Sequence, residues 1–342
     1  MPTENGKRLG ALVLAAGKGT RMQSERPKVL QSMLGEPMLW FTFQALLPVV
    51  SSDALWTVVG HGSQEVEALF PDHASRFILQ KEQLGTGHAL QCACPRLLEN
   101  KVSLCLIVNG DAPLLTPKSL QSLVQTAAAS QAELTFLSLE LENPSGYGRV
   151  VRDAQGRVRG IVEDKDISEE RVRAIQEVNA GIYCVNLEAV RPYLQRLSND
   201  NRQGEYYLPQ LIDLLLEDGA GVETVCHGHN PEFLGINTPK DLVHCEGLLQ
   251  RRILDGLLEQ GVIIRNPEQV RIGPKVRIQP GADLTGPLEM YGDCRVAGGC
   301  CIESHVWMRD AAMESSCRIR SFSHLEEVHL GEAVQVGPYA RI

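Results

Sequence analysis

A six-residue period runs through the last quarter of the chain and limits what that part can form. Aliphatic side chains recur at every sixth position, and an aliphatic or small residue usually stands two positions earlier, as at Val270 and Ala282. The register positions are Ile272, Ile278, Leu284, Met290, Val296, Ile302 and Met308, followed after a one-residue deletion by Met313, Ile319 and Leu325, and after another by Leu330, Val336 and Ile342. Hexapeptide repetition of this kind predicts a parallel β-helix over residues 262–342.

A helix start precedes the repeats. Thr238 is a favourable N-cap, Pro239 suits the first helical position, and Asp241 places an acid in the first turn. Apolar residues continue at helical spacing to Gly261. The sequence therefore predicts a connecting helix over residues 238–261 between two domains.

Residues 1–237 alternate short apolar runs with helical patterns. Residues 11–15, 54–59, 104–108 and 134–139 are typical of strands, and residues 117–129 of an amphipathic helix. This alternation predicts an α/β domain with a mostly parallel sheet and helices on both faces. Ligands in such sheets bind beyond the carboxyl ends of the strands, where Gly17 and Asn109 both lie.

A glycine loop and a group of cations follow the first strand. Gly17 and Gly19 allow close approach of a phosphate chain, and the cations from residue 7 to 28 outnumber the single anion, Glu25. These cations are Lys7, Arg8, Lys18, Arg21, Arg26 and Lys28 in a chain of formal net charge -9. The loop has neither the P-loop ending nor the third glycine of the dinucleotide fingerprint. The pattern favours a nucleotide triphosphate over nucleic acid, which requires a basic stripe over a whole face.

The ten cysteines include no Cys-x-x-Cys pair, and no N-terminal signal peptide is evident. We therefore expect a reducing cytoplasm and no metal held by cysteine. No apolar stretch approaches the roughly 20 residues that span a bilayer, so we expect no membrane partner.

Seven ordered motifs resemble those of sugar-1-phosphate nucleotidyltransferases, most closely the uridyltransferase half of the bacterial enzymes that make UDP-N-acetylglucosamine. They are Leu14-Ala-Ala-Gly-Lys-Gly-Thr-Arg-Met22 with Pro27-Lys28, the segment 80–89, Asn109-Gly-Asp-Ala-Pro-Leu-Leu115, the segments 143–149 and 161–166, Asn179-Ala-Gly-Ile-Tyr183 and Gly235-Ile-Asn237. The resemblance implies a Rossmann-like nucleotidyltransferase domain, then the connecting helix and a left-handed parallel β-helix.

The implied reaction transfers UMP from UTP to N-acetylglucosamine 1-phosphate, giving UDP-N-acetylglucosamine and pyrophosphate for peptidoglycan and lipopolysaccharide precursors. By resemblance, Arg21 and Lys28 are the catalytic cations, and Asp111 and Asn237 hold Mg²⁺. Taken alone, Lys28 is equally typical of a surface lysine. The alternative for Asp111 is an N-cap of the segment at Pro113.

The resemblance also assigns the two substrates. The UTP-binding residues it implies are Leu14, Ala15, Ala16, Gly17, Lys28, Gln80, Gly85, Thr86, Asn109, Gly110 and Asp111. The sugar-binding residues it implies are Gly148, Glu163, Asn179 and Asn237. The Gln80 amide both donates and accepts, which matches the O4 and N3–H edge of uracil. Asn109 departs from the aromatic or small residue usual in the family.

The family's β-helix carries an acetyltransferase whose motifs lie further along than residue 342. We therefore expect a β-helix that is incomplete at its C-terminus, no acetyltransferase activity, and a homotrimer through the β-helix.

Other interpretations stay open at this point. The sugar 1-phosphate could be that of N-acetylgalactosamine or glucose. The chain could instead be a hexapeptide acyltransferase with a nucleotide-sensing domain, although the acyltransferase segment is missing. A non-catalytic regulatory subunit would be expected to lack Arg21, Lys28 or Asp111, and all three are present.

Overall fold

The computed structural model describes residues 8–17, 19–130 and 132–342, so that Lys7 and Lys18 of the predicted cation group lie outside the described residues. The contacts divide the chain into two compact units. Unit 1 consists of residues 1–31 and 38–238, and unit 2 of residues 32–37 and 239–342.

The first eleven strands and seven helices belong to the amino-terminal part of the chain. The strands are β1 (Leu9–Ala15), β2 (Ser32–Met33), β3 (Glu36–Pro37), β4 (Leu55–Val59), β5 (Phe77–Leu79), β6 (Leu104–Asn109), β7 (Leu134–Glu140), β8 (Arg149–Arg152), β9 (Val158–Val162), β10 (Glu177–Asn186) and β11 (Val222–Cys226). The helices are α1 (Met38–Leu46), α2 (Ser63–Leu69), α3 (Thr86–Glu99), α4 (Pro117–Ser130), α5 (Glu170–Arg173), α6 (Leu187–Leu194) and α7 (Gln210–Glu217).

Unit 1 is built on one mostly parallel sheet in the order β11-β7-β10-β6-β1-β4-β5. Strand β10 runs antiparallel to both β6 and β7, and the β8–β9 hairpin attaches to β10. The predicted strands and the helix at residues 117–129 are confirmed, with ends that differ by no more than a few residues.

The sheet is covered on both faces because successive side chains of its central strands point to opposite sides. Leu12 and Ile107 pack on one side with α3 and α6, while Val13 and Val108 pack on the other with α1 and α4. All four of these side chains are fully buried. The α/β prediction is therefore confirmed.

Unit 2 contains α8 (Pro239–Glu259), the β2–β3 hairpin and the remaining strands. These strands are β12 (Ile263–Arg265), β13 (Val270–Ile272), β14 (Arg277–Ile278), β15 (Asp283–Thr285), β16 (Leu288–Tyr291), β17 (Arg295–Val296), β18 (Cys301–Ile302), β19 (Val306–Arg309), β20 (Ala312–Met313), β21 (Arg318–Ile319), β22 (His324–Glu326), β23 (His329–Leu330) and β24 (Gln335–Val336). The predicted connecting helix is confirmed, and Gly261 follows it at φ +91°.

The strands of unit 2 stack as three parallel sheets, which makes this part a parallel β-helix. Ile272 aligns with Met290, Met290 with Met308, and Met308 with Leu325. Each of these register positions is buried in one continuous core. The last predicted register position, Ile342, is instead 51% exposed. The single-residue deletions before Met313 and Leu330 shorten a coil without breaking the stacking, as the strand pairs β17–β20 and β20–β23 show.

The β2–β3 hairpin is part of unit 2 through specific contacts. Glu36 pairs with Lys275 at 2.8 Å, and the backbone N–H of Leu34 donates to Glu246 at 3.1 Å.

Among the described residues, none of the helices combines the length and the hydrophobicity that a membrane span requires.

Candidate active site

The carboxyl ends of the parallel strands bring the predicted phosphate loop and the acidic residue together. Strands β1 and β6 pair from Leu9↔Leu104 to Leu14↔Asn109, and Gly110 N donates to Leu14 O at 2.9 Å. Ala15 and Gly17 on one strand end and Asp111 on the next therefore face the same edge of the sheet. Leu14, Ala15 and Ala16 are wholly or partly buried there, whereas Gly17 is exposed.

Gly19 is needed because Lys28 lies directly against it. Gly19 has φ +61°, and a Cβ at this position would stand 2.6 Å from the Cβ of Lys28. Pro27 then leads into a short 3-10 turn at residues 28–30, whose Val29 and Leu30 are buried. This packing fixes the stem of Lys28 and directs it inward, with only 11% of the side chain exposed.

Four side chains converge at this point. The Lys28 ammonium forms an ion pair with Asp111 and donates to Asn237 Oδ1 at 2.9 Å. Arg21 donates to the same Asn237 oxygen at 2.8 Å. The chain thus collects two cations, a carboxylate and an amide oxygen from three distant segments.

The loop that carries Asn237 is anchored to the same strand end. Ile236 N donates to the backbone oxygen of Asp111 at 2.9 Å, and Gly235 N donates to the hydroxyl of Tyr147 at 3.3 Å. Tyr147 was not singled out in the sequence analysis, although it belongs to one of the quoted motifs. The hydrogen bond that its hydroxyl accepts from Gly235 links the motif at residues 143–149 to the Asn237 loop.

The predicted cation group separates into two kinds. Arg8 pairs with Asp53 and Arg26 with Glu65 at the surface, with 40% or more of each side chain exposed. Arg21 and Lys28 point instead to Asn237. Only these two of the described cations belong to the convergent site.

Asp111 and Asn237 fit a divalent cation by their donor chemistry. A carboxylate oxygen and an amide oxygen both reach the Lys28 ammonium, so two hard oxygen donors already point at one positive charge. Mg²⁺ prefers such oxygen ligands and is seldom held by protein alone. No group of three or more His, Cys, Asp or Glu residues with metal-binding geometry occurs in the described part of the chain.

The predicted base contacts lie further along the same edge. Gln80 follows β5 and is 2% exposed, and its backbone N–H donates to Val59 O at 2.8 Å. Its side-chain nitrogen donates to Gly85 O at 3.0 Å. Gly85 has φ +103°, and a Cβ there would stand 2.7 Å from Tyr206 O, so both the backbone and the space require glycine. Thr86 accepts from Leu208 N at 3.0 Å.

The predicted sugar contacts lie on β10 and the β8–β9 hairpin. Asn179 N donates to Gly148 O at 2.8 Å, and the Asn179 side chain donates to the Tyr183 hydroxyl at 2.5 Å. A Cβ on Gly148 would stand 3.2 Å from Glu163. Gly148, Glu163 and Asn179 therefore lie close together, and their assignment to the sugar stays a prediction.

Glu163 has an unusual charge state. Burial, together with the nearby carboxylates of Asp166, Asp164 and Glu205, raises the pKa of Glu163 to about 7. Near neutral pH this carboxyl is therefore divided between its protonated and ionised forms.

Asn109 and Arg149 show contacts that sequence reasoning missed. Gly181 adopts φ +72°, and a Cβ there would clash with the Asn109 amide, so this side chain depends on a glycine across the sheet. Arg149 is 1% exposed, pairs with Asp164 at 3.1 Å and donates to Tyr147 O. A fully buried arginine in a sugar motif gives no signal in sequence, because arginine is usually exposed.

Taken together, the sheet, the glycine loop and the convergent cations define a nucleotidyltransferase. The profile of the MobA-like NTP transferase domain matches residues 11–178. A solved structure of CMP:2-keto-3-deoxy-manno-octonic acid synthetase complexed with CTP superposes with a TM-score of 0.54 at 18% identity, covering 72% of this chain and all of that one. That similarity supports the fold alone.

Relatives in curated collections narrow the class. The bifunctional protein GlmU of Nitratidesulfovibrio vulgaris strain Hildenborough is 46% identical over 334 residues, which is 97% of this chain and 72% of that protein. GlmU of Lawsonia intracellularis is 40% identical over 333 residues, with the same coverage. The chain belongs to the GlmU family. Its first unit is accordingly a transferase of the sugar-phosphate nucleotidyl type.

Proposed function

We propose that the chain transfers UMP from UTP to N-acetylglucosamine 1-phosphate, producing UDP-N-acetylglucosamine and pyrophosphate in a Mg²⁺-dependent reaction. The single observation that carries this proposal is the convergence of Arg21, Lys28, Asp111 and Asn237 at the carboxyl edge of the sheet.

In the reaction, a phosphate oxygen of the sugar attacks the α-phosphorus of UTP. A new P–O bond forms, the bond between the α-phosphorus and the bridging oxygen breaks, and pyrophosphate leaves. Catalysis of such a transfer is mainly positioning and neutralisation of charge. Lys28 is suited to the α-phosphate and the incoming sugar phosphate, while Arg21, which is exposed, is suited to the β- and γ-phosphates.

The ion pair between Lys28 and Asp111 has a further implication. When Mg²⁺ is bound it supplies positive charge that polarises the phosphate oxygens. Asp111 and Asn237 are the residues that would hold it. Because Lys28 contacts both oxygen donors, a metal held by Asp111 and Asn237 would compete for these contacts and free the ammonium for a phosphate. Lys28 is therefore a cation that substrate and metal binding would release.

The choice of substrates rests on the two groups beside this centre. Gln80, Gly85 and Thr86 follow β5, two strands along the sheet from the β1 end that carries Ala15 and Ala16, and we assign this group to uracil. Gly148, Glu163 and Asn179 offer a carboxyl, an amide and a close backbone approach, and we assign them to the N-acetyl sugar. Peptidoglycan and lipopolysaccharide precursors are the proposed fate of the product, and a cytoplasmic location is proposed with it.

Pyrophosphate release with a panel of nucleotides and sugar 1-phosphates tests the proposal. We expect the highest kcat/KM with UTP and N-acetylglucosamine 1-phosphate, because buried hydrogen-bonding groups reject analogues that leave them unpaired. Comparable turnover with CTP or GTP contradicts the base assignment. A clear preference for glucose or N-acetylgalactosamine 1-phosphate contradicts the sugar assignment.

A further inference from the structure

His88 on α3 contacts the side chain proposed to read the base. The Nδ1 atom of His88 lies 3.0 Å from Gln80 Nε2, and Gln80 Nε2 also lies 3.0 Å from Gly85 O. On its other side, His88 Nε2 lies 3.6 Å from Cys92 Sγ. A continuous line of polar contacts therefore runs from Gly85 through Gln80 and His88 to Cys92.

The direction of each hydrogen bond in this line is fixed by elementary chemistry. Gly85 O can only accept, so the group facing it must be the amide nitrogen of Gln80. An amide nitrogen can only donate, so His88 Nδ1 must accept and carries no proton. The ring proton of neutral His88 is then on Nε2, directed at Cys92, whose sulfur is neutral because burial raises the pKa of its thiol.

Both amide protons of Gln80 are thereby engaged inside the protein. Its carbonyl oxygen, Oε1, is what remains to meet a nucleobase. Turning the amide by half a rotation would place Oε1 against two acceptors, Gly85 O and His88 Nδ1. The sequence predicts that the Gln80 amide both donates to the base and accepts from it. The structure leaves only the acceptor, Oε1, for the base.

We propose that His88 is a positioning residue for base selection: it holds the Gln80 amide so that an acceptor faces the base. This inference rests on the proposed function. Uracil has a hydrogen on N3 that can donate to Gln80 Oε1. Cytosine has a lone pair on N3 instead, which would face the Oε1 lone pairs and be repelled. Without His88 only Gly85 O resists the rotation that would offer a donor to cytosine.

Three variants separate this role from simple packing. His88→Leu keeps bulk but removes the acceptor, and we expect it to lower the ratio of kcat/KM for UTP to that for CTP by about tenfold, the worth of one buried hydrogen bond. His88→Asn retains an acceptor oxygen near the position of Nδ1 and should keep the ratio within about threefold of wild type. Gln91→Leu is the matched control, because Gln91 lies on the same helix as His88. This variant removes a side-chain hydrogen bond to Leu194 O and should leave the UTP-to-CTP ratio unchanged.

Each kinetic outcome decides one claim. If His88→Leu reduces turnover of UTP and CTP equally, His88 only packs and the inference is wrong. If wild type fails to use UTP while His88 has the expected tautomer, the proposed function is wrong and the geometry of the network stands.

A spectroscopic measurement needs no activity and remains decisive if His88→Leu does not fold. Long-range ¹H–¹⁵N spectra of histidine-labelled wild-type protein report the ring tautomer, and comparison with His88→Asn assigns the signal. We expect the proton on Nε2. A proton on Nδ1 would overturn the inference, since that nitrogen could not accept from Gln80.

Discussion

The Lys28 ammonium lies 2.9 Å from Asn237 Oδ1, although 209 residues separate the two along the chain. The Asn237 loop is held by a backbone hydrogen bond from Ile236 to Asp111, which is itself the ion-pair partner of Lys28. The three residues therefore form one connected group, and a change in any of them acts on the position of the lysine.

Removing either convergent cation should abolish most turnover. We expect Lys28→Ala and Arg21→Ala each to lower kcat by about two or more orders of magnitude, as is typical for groups that stabilise transition-state charge. Steady-state pyrophosphate release, with circular dichroism to verify folding, measures this. Arg26→Ala is the control, since its surface pair with Glu65 is remote from the convergence and should leave kcat within about twofold. Near-normal turnover in a folded Lys28 variant at saturating substrate would refute the assignment.

Replacing Asp111 with Asn should change the metal requirement. Loss of one charged ligand weakens the proposed Mg²⁺ site while Asn237 remains, so activity should be low at ordinary Mg²⁺ and recover partly at high Mg²⁺. Titration of turnover against Mg²⁺ measures this, with Asp53→Asn, from the exposed Arg8–Asp53 pair, as the control. An unchanged titration curve for Asp111→Asn, or activity without metal, would exclude the metal role.

A methyl group on Gly19 should reduce turnover by displacing the side chain of Lys28. Gly19→Ala introduces a Cβ 2.6 Å from Lys28 Cβ at φ +61°, so the lysine stem must move. We expect kcat to fall by about tenfold or more, because a displacement of about 1 Å at a reacting group can cost that much.

Gly156→Ala is the matched control for this substitution. Gly156 also has positive φ, at +78°, but an added Cβ would meet no atom within 4 Å in the described structure. The control should have the same backbone strain and normal turnover. Equal losses of activity in both variants would attribute the effect to strain rather than to Lys28.

The raised pKa of Glu163, at about 7, makes the stability of unit 1 depend on pH. The Glu163 pKa is near 4.5 in the unfolded state and about 7 in the folded state, so the folded state holds the proton more tightly. This carboxyl therefore does not oppose folding below pH 4.5, opposes it progressively between pH 4.5 and 7, and has its full destabilising effect above pH 7. Glu163→Gln should therefore raise Tm relative to wild type at pH 8 and change it little at pH 5.

Thermal unfolding at pH 5 to 8 checks the sign. Glu170→Gln, at a glutamate whose side chain is 91% exposed, is the control and should show the same difference from wild type at every pH. A Glu163→Gln protein that is less stable than wild type at pH 8 would contradict a buried, partly protonated carboxyl.

Unit 2 is proposed to assemble three-fold through its β-helix. Large exposed apolar side chains in unit 2 include Val243, Ile263, Phe322 and Tyr339, the last 76% exposed. Phe322 and Tyr339 stack with ring centroids 5.0 Å apart, and adjoining exposed apolar side chains of this kind favour an interface. Light scattering over a concentration series should give a mass near three times 37.6 kDa. A constant mass of one chain would contradict the trimer.

Periodic patterns made the secondary structure and the β-helix register predictable. The hexapeptide positions from Ile272 to Val336 are each buried because the same short-range pattern repeats in every coil, whereas Ile342 is exposed. The same pattern predicted where the register slips, since a deleted residue shortens a coil and leaves its strands paired.

Contacts between distant segments were not predictable in the same way. Nothing local indicates that the Ser32–Pro37 hairpin groups with unit 2, or that Arg149 is fully buried against Asp164. The acceptor role of Gln80 depends on contacts of its amide nitrogen with both Gly85 and His88. The order of residues in the motif does not reveal these contacts.

Strand β10 runs antiparallel to its neighbours β6 and β7. As a result, the two proposed substrate subsites come from different stretches of the chain. Because the beginning of β10 rather than its end lies at the carboxyl edge, Asn179 reaches that edge straight from the segment that follows the β8–β9 hairpin. Residues proposed for the nucleotide and the phosphates come mainly from the chain up to Asp111, and those proposed for the sugar from Gly148 onward. Donor and acceptor specificity can therefore evolve separately, by changes in two stretches of sequence that share only the phosphates between them.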